Sequence, residues 1–419
     1  MRTCPEHPLR EELHNELHAR PSLYFDGDTD VWHVAIVGEK CVPSFPANVQ
    51  EIEDVASTQE GKHGIARFSG GRLKWEVHSE FLTLTFVRKA EATGDVLLPT
   101  AFQALCNGIK GKVIASIRVL VREEKNGRDF ERPSSDHVAS IVGGGDAEIH
   151  SNFRLDEAGT VEFLLFNRNL NAYRTGRMVR RLLEIETYRM MALLAMPVAR
   201  DTVEQLGAFD DRLNLLVAHM QSAAKVDKAL LSEMTRLSSE VLSVSANARK
   251  RFGATKAYAE IVASRLQELR ETHVEQRQRI GTFIDRRFRP AIRSVQATER
   301  RLDELAERVS LAGDLLRTTV QVQLEDQNAS LLTSMDERTR VQVHIQQAVE
   351  GFSIIAISYY TVGLFKVCLE SLVGLGFDAH LAKLLTLVAI PLVFSAVWSA
   401  VRHVRKTVAV GTRTPPLQS

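Results

Sequence analysis

Two long apolar segments near the C-terminus constrain this chain more than any other feature. Residues 384–401 contain no charged residue, and residues 351–377 are interrupted only by Lys366 and Glu370, which share a helix face. A helix of about 20 predominantly apolar residues is long enough to cross a bilayer. Pro391 is tolerated in such a helix when neighbouring groups satisfy the freed carbonyl. The sequence therefore predicts a transmembrane hairpin, and a buried hairpin of a soluble protein is the alternative.

The charges that flank this hairpin predict its orientation. A basic cluster follows the second segment directly and consists of Arg402, His403, Arg405 and Lys406. The connecting residues 371–380 contain Asp378 and neither Lys nor Arg. Because basic residues concentrate on the cytoplasmic side, both ends of the hairpin are expected in the cytoplasm. Residues 1–21 lack the apolar core of a signal peptide, so the N-terminus is expected there too.

The first 170 residues alternate short strand patterns with turn residues. The predicted strands are residues 31–37, 72–78, 81–87, 113–121, 147–153 and 161–166. The predicted helices between them are residues 9–18, 46–60 and 99–106. Gly70-Gly71, the glycines at 143–145 and residues 157–159 are typical of turns. The pattern predicts one α/β or α+β domain with antiparallel hairpins.

From about residue 172 the apolar residues follow a 3.6-residue period with few breakers, which predicts long helices. A coiled-coil-like stripe begins at Leu302 and loses its register before Phe352, and this favours a bundle over a long parallel coiled coil. The predicted domains are a cytoplasmic α/β domain (1–170), a helical bundle or coiled-coil-like region (171–348), and a transmembrane hairpin with a basic cytoplasmic tail (349–410).

Histidines and glutamates in two segments could form a metal site. His14 and His18 lie four apart on a predicted helix, so both rings can face one ligand. Glu76, His78 and Glu80 alternate along a predicted strand and its end, so they share one face. If the segments meet, they could hold a divalent cation or an acid–base pair. Exposed polar faces are the simpler alternative, and no catalytic residue is predicted because no known catalytic motif is complete.

Residues 249–301 carry fourteen Lys or Arg and six Asp or Glu, although the net charge of the whole chain is only +1. Beside a membrane, such a surface could contact anionic lipid head groups. The predicted lipid-facing residues are Arg286, Arg287, Arg289, Arg402, Arg405 and Lys406. A solvated helix face that pairs with acidic neighbours is the alternative. No aromatic platform for nucleic acid and no motif for a small-molecule ligand accompanies these charges.

Four groups of residues resemble a family of bacterial membrane-anchored proteins known as domain of unknown function 3422. They are residues 7–10 with 15–21, 75–80, 181–189, and 325–360. The resemblance implies a location in the bacterial inner membrane. It implies no catalytic residues, because that family has no assigned activity.

The layout of the chain is also similar to that of the CorA-type magnesium transporters, which would imply a homo-oligomer around a cation pore. Their Gly-Met-Asn signature is missing here, and Gly374-Leu375-Gly376 stands near its place. The first expectation is therefore a non-enzymatic, membrane-anchored scaffold, sensor or interaction protein. The second is a CorA-like divalent-cation channel or transporter, and the third is a metal-dependent enzyme.

Overall fold

The structure is a computed structural model. It describes residues 6–10, 14, 22–38, 49–54, 62–90, 100–124, 137–222, 228–373 and 378–411, without the side chains of 49–54 and 404–411. The chain divides into two compact units, Met1–Leu316 and Arg317–Ser419. The predicted division into three domains stays a prediction, because the contacts define only these two units.

A mixed sheet of ten strands forms the described β-structure of the first unit. In chain order the strands are β1 (Thr29–Val37), β2 (Val49–Asp54), β3 (His63–Phe68), β4 (Gly71–Val77), β5 (Phe81–Lys89), β6 (Lys112–Glu123), β7 (Val138–Val142), β8 (Ala147–Ser151), β9 (Val161–Asn167) and β10 (Thr272–His273). Across the sheet their order is β10-β7-β8-β9-β6-β1-β5-β4-β3-β2. The pair β6 and β9 is parallel, and the other neighbours are antiparallel.

Six of these strands confirm the sequence predictions to within a few residues, and the predicted glycine turns are present. Ser69 and Gly70 adopt positive φ between β3 and β4, and all three glycines at 143–145 do so between β7 and β8. The helix predicted over 46–60 is wrong at Val49–Asp54, which pairs with β3 as an edge strand. Most of the helix predicted over 9–18 lies outside the described residues.

The described helices are α1 (Thr100–Asn107), α2 (Ala172–Leu193), α3 (Ala195–Ser222), α4 (Lys228–Glu268), α5 (Ile280–Val373) and α6 (Ala379–Gly411). The predicted long helices after residue 172 are therefore confirmed. The chain breaks at Leu194 and restarts, so Pro197 stands in the first turn of α3, where a missing N–H costs little. In the first unit, α3, α4 and the start of α5 share one apolar core that includes Leu206, Leu237 and Leu305.

The two faces of the sheet around β1 have different coverings. On one face, side chains such as Trp32, Leu84 and Phe86 pack with Phe102 of α1 in an apolar cluster. On the other face, α2 lies across the strands and packs through Leu182 and other residues of a second cluster. Helix α4 is held to α2 by ion pairs of Arg181 with Glu268 and of Arg265 with Glu184. The face under α2 contains the candidate site.

The second unit contains residues 317–373 of α5 and all of α6. Both helices are long and apolar enough to cross a membrane, and the most apolar 18-residue windows have 11% and 0% of their residues buried. The ammonium of Lys366 lies 3.8 Å from the carboxylate of Glu370 on the same helix, as their four-residue spacing predicts. A core helix of a soluble protein would bury one face. The exposure of these helices is consistent with membrane association.

Candidate functional site

Polar side chains form two rows across three neighbouring strands on the face covered by α2. In the first row His33 of β1 lies opposite Thr85 of β5, and Thr85 lies opposite Lys74 of β4. In the second row Thr83 of β5 lies opposite Glu76 of β4. Because side chains alternate between the two faces of a strand, all five point to the same side. The register of the sheet thus assembles a polar patch from three separate segments.

Helix α2 passes over this patch and leaves a cavity of about 170 Å³, here called the strand–helix cavity. Its polar wall contains the five patch residues and, from α2, Arg177, Arg180, Glu184 and Thr187. Its apolar wall includes Leu23, Phe25, Phe81, Val179 and Leu183. The segment at Leu23 approaches α2 so closely that a Cβ at position 176 would lie 2.0 Å from the Leu23 carbonyl oxygen. Only glycine at position 176 permits this side of the cavity to close.

The imidazole of His33 is held neutral inside the protein. Its Nδ1 lies 2.8 Å from the Thr85 hydroxyl, and its Nε2 lies 3.2 Å from the Thr187 hydroxyl. Burial lowers the pKa of His33 to about 3; the charges of Lys74 and His78 add to this shift, and the charge of Glu76 opposes it. A neutral imidazole has one donor and one acceptor nitrogen. Both ring nitrogens therefore already have a hydrogen-bond partner inside the protein.

Lys74 is a buried cation with one polar partner. Its side chain is 7% exposed, and its Nζ lies 3.1 Å from a carboxylate oxygen of Glu76, whose side chain is 18% exposed. Lysine is almost never buried without a partner, and an ammonium has three donor hydrogens. The ion pair uses one of them among the described residues. The other two have no hydrogen-bond partner within the described part of the chain.

Helix α2 adds arginines to the outer part of the cavity. Arg180 contacts Glu184 at 3.4 Å, and Glu184 also accepts a hydrogen bond from Arg265 of α4. Arg177 is exposed and makes no hydrogen bond or ion pair within the described part of the chain. The carboxylate of Glu184 is therefore occupied, whereas the guanidinium of Arg177 has no acceptor among the residues that the structure describes.

The sequence profile of a family described as "Protein of unknown function (DUF3422)" matches residues 5–408, nearly the whole chain. The chain belongs to the DUF3422 family. The matched range includes the strand–helix cavity and both apolar helices. No curated protein sequence matches the chain.

Two of the residues predicted to bind a metal in this DUF3422 protein belong to the strand–helix cavity. Glu76 and His78 line the cavity, and the ring of His78 stacks on Phe81 with centroids 4.2 Å apart. Strand β4 ends at Val77, so the predicted alternation does not extend to Glu80, which lies in the following turn. His14 is exposed, and His18 lies outside the described residues.

Glu80 contacts α4 rather than the cavity. Its Oε2 accepts hydrogen bonds from Arg251 at 3.0 Å and from the hydroxyl of Tyr258 at 3.1 Å. Burial and then the nearby charge of Glu80 raise the pKa of Tyr258 to about 12. Among the residues that the structure describes, no three His, Cys, Asp or Glu side chains lie close enough to hold a metal ion. The predicted metal site stays a prediction, because His18 is not described.

The predicted lipid-facing residues fall in both units. In the first unit Arg287 lies over the ring of Phe283 at 3.9 Å, Arg289 pairs with Asp285 at 2.8 Å, and Arg286 is exposed. In the second unit Arg402 lies over the ring of Trp398 at 5.5 Å. The side chains of Arg405 and Lys406 lie outside the described residues. Contact of this set with lipid stays a prediction.

Sequence reasoning missed the most buried polar residues of the cavity, which are His33, Lys74, Thr83, Thr85 and Thr187. A signal for part of this set was present. Polar residues at 74, 76 and 78 and at 83 and 85 alternate with large apolar residues in two adjacent strands. This alternation is typical of a sheet with one wet face. The sequence alone could not show that a helix covers that face.

Proposed function

We propose that this DUF3422 protein is a membrane-anchored scaffold or sensor rather than an enzyme. The observation that carries the proposal is α6, in which the most apolar window has no buried residue. Its large side chains include Leu384 at 67% and Leu387 at 71% exposure. Helices with apolar side chains all round are stable in hydrocarbon, where every backbone hydrogen bond is satisfied within the helix. A bilayer accounts for both the composition and the exposure.

In this proposal the hairpin lies in the bacterial inner membrane with both termini in the cytoplasm. Support comes from the basic residues that follow the second apolar segment and from their absence in residues 371–380. Trp398 stands near the end of that segment, where aromatic rings favour the membrane interface. Helix α5 supplies residues to both units, so the anchor and the first unit are joined by continuous helical backbone.

Membrane extraction tests the anchor. We expect the full chain to stay with membranes in alkaline carbonate and to dissolve only in detergent. The double variant Leu364→Arg/Leu392→Arg places one arginine at the centre of each apolar segment. It should be released, because each such arginine costs about 2.5–3.5 kcal/mol of insertion free energy. The matched control Leu215→Arg/Leu242→Arg changes two equally exposed leucines of the first unit and should stay membrane-bound. Release of the unaltered chain by carbonate would contradict the anchor.

Reporter fusions test the orientation. A reporter after Ser419 should be inaccessible from outside intact cells, whereas one inserted after Gly376 should be accessible. Both ends of the hairpin would then lie inside. Labelling of the C-terminal reporter from outside would overturn the proposed topology while leaving the anchor itself unaffected.

A homo-oligomeric, CorA-like cation channel is the second candidate. It is favoured by the pair Lys366 and Glu370, whose side chains are 62% and 67% exposed within an apolar helix. Charged groups inside a membrane usually face a bundle interior or an aqueous path, and a ring of copies would provide one. The test is divalent-cation flux into liposomes together with the particle mass in detergent. A monomer without flux would exclude this candidate.

A further inference from the structure

We propose that the strand–helix cavity binds a small organic acid, with the carboxylate beside Lys74 and the apolar part against the wall formed by Leu23, Phe25, Phe81, Val179 and Leu183. This site goes beyond the proposed function, which assigns no ligand and no binding site to the first unit.

The unused polar capacity of the cavity wall consists mainly of donors. Lys74 has two ammonium hydrogens without a described partner, and no described residue accepts a hydrogen bond from Arg177. Both carboxylates of the wall already have cationic partners, since Glu76 pairs with Lys74 and Glu184 with Arg265. A ligand that supplies acceptor atoms and negative charge would satisfy these donors. A cation would instead meet groups that are already neutralised.

The packing of the sheet alone does not require this polar patch. On the opposite face the same strands carry Leu73, Leu84 and Phe86, which form an apolar core with α1. Replacing a buried ion pair with apolar residues is often neutral or stabilising, so Lys74 and Glu76 are not needed to bury this face. Buried charges that line a cavity are instead typical of binding sites.

The dimensions and the apolar wall restrict the ligand class. A cavity of about 170 Å³ is smaller than the roughly 300–1,000 Å³ of pockets for drug-sized ligands. It therefore suits a short hydrocarbon chain or a single aromatic ring. Glu76 lies beside Lys74 and repels a second negative charge, which favours a monocarboxylate over phosphate.

The binding test uses the full chain in a non-ionic detergent, with benzoate and butyrate as probes in calorimetry and ligand-observed NMR. Inorganic phosphate tests an anion without an apolar part, and benzyl alcohol tests the ring without the charge. We expect saturable binding of at least one carboxylate and weaker binding of phosphate and benzyl alcohol. Absence of saturable carboxylate binding, or tighter binding of either control compound, would overturn the proposal.

Variants test the assigned contacts. Lys74→Met keeps the length of the side chain without its charge and should weaken carboxylate binding at least tenfold. Lys112→Met is the matched control, because Lys112 is an exposed strand lysine that does not line the cavity. It should bind as the unaltered protein does. Unchanged affinity in a folded Lys74→Met protein would refute the assignment.

Two further variants keep the test decisive if Lys74→Met fails to fold. Lys74→Met/Glu76→Gln removes both charges, so neither partner is left buried alone, and it should also lose at least tenfold in affinity. Arg177→Gln changes an exposed side chain that has no partner among the described residues, and it should weaken binding severalfold with no effect on folding. Full affinity in both folded variants would show that the carboxylate lies elsewhere.

Discussion

Lowering the pH from 7 to 5 should destabilise the first unit through His33. The ring is buried and fully hydrogen-bonded, and burial lowers its pKa to about 3 in the folded protein. In the unfolded chain a histidine has a pKa near 6.5. The unfolded state therefore binds a proton in this range and the folded state does not. The stability that comes from keeping His33 neutral is fully present above pH 6.5 and is lost as the pH falls from there towards 3.

The size of this effect follows from the two pKa values. Between pH 7 and 5 the unfolded histidine becomes almost completely protonated, while His33 in the folded protein stays neutral. This difference in proton binding lowers the free energy of unfolding by about 2 kcal/mol. Any folded-state pKa below about 4 gives the same figure, because the buried imidazole is still neutral at pH 5.

The assay is urea unfolding of the full chain in non-ionic detergent at both pH values. Trp32 and Trp75 lie in the sheet and are each 3% exposed, so their fluorescence reports its unfolding. A Trp398→Phe background removes the signal of the third tryptophan.

The decisive comparison is His33→Gln, which has a donor and an acceptor but cannot take up a proton. Other titrating groups cancel in the difference between the two proteins. The unaltered protein should lose about 2 kcal/mol more than His33→Gln on acidification. His219→Gln changes an exposed histidine and should keep the full loss. An equal loss with and without His33 would refute the reasoning.

Two packing predictions use the same unfolding assay. Gly176→Ala should lower the free energy of unfolding by roughly 1–3 kcal/mol, because its Cβ would meet the Leu23 carbonyl. Gly207→Ala has open space around it and should be neutral or slightly stabilising. Equal effects of the two substitutions would contradict the close approach of Leu23 to α2. Leu305→Ala should lower the free energy of unfolding by roughly 2–5 kcal/mol, because Leu305 is 2% exposed. Leu311 is 58% exposed on the same helix, so Leu311→Ala should change that free energy by less than about 1 kcal/mol. A similar loss in both leucine variants would refute the assignment of the buried helix face.

The local patterns of the sequence predicted the elements that carry their own signals. Strand β5 alternates large apolar residues with threonines, and the glycines at 143–145 take positive φ as a turn requires. Helix α2 keeps a 3.6-residue apolar period, which requires no information about its neighbours. These signals are local, so they can be read without the tertiary structure.

Elements that depend on a distant partner could not be predicted in the same way. Strand β2 has the sequence VQEIED, whose polar residues resemble a helix surface, yet it pairs with β3 at the edge of the sheet. The two-residue strand β10 exists only because β7 offers its edge. In both cases backbone hydrogen bonds to another strand outweigh weak local preferences.

The sequence by itself determined the apolar helices, the long-helix region and much of the sheet, because periodicity and hydropathy are properties of contiguous residues. It also identified Glu76 and His78 as polar residues of one strand face. Only the tertiary structure decided that His33, Lys74 and Thr187 meet there, because strand register and the path of α2 bring together residues up to 154 positions apart. Burial then gives these side chains their unusual properties, because the same groups exposed to water would form an ordinary polar surface.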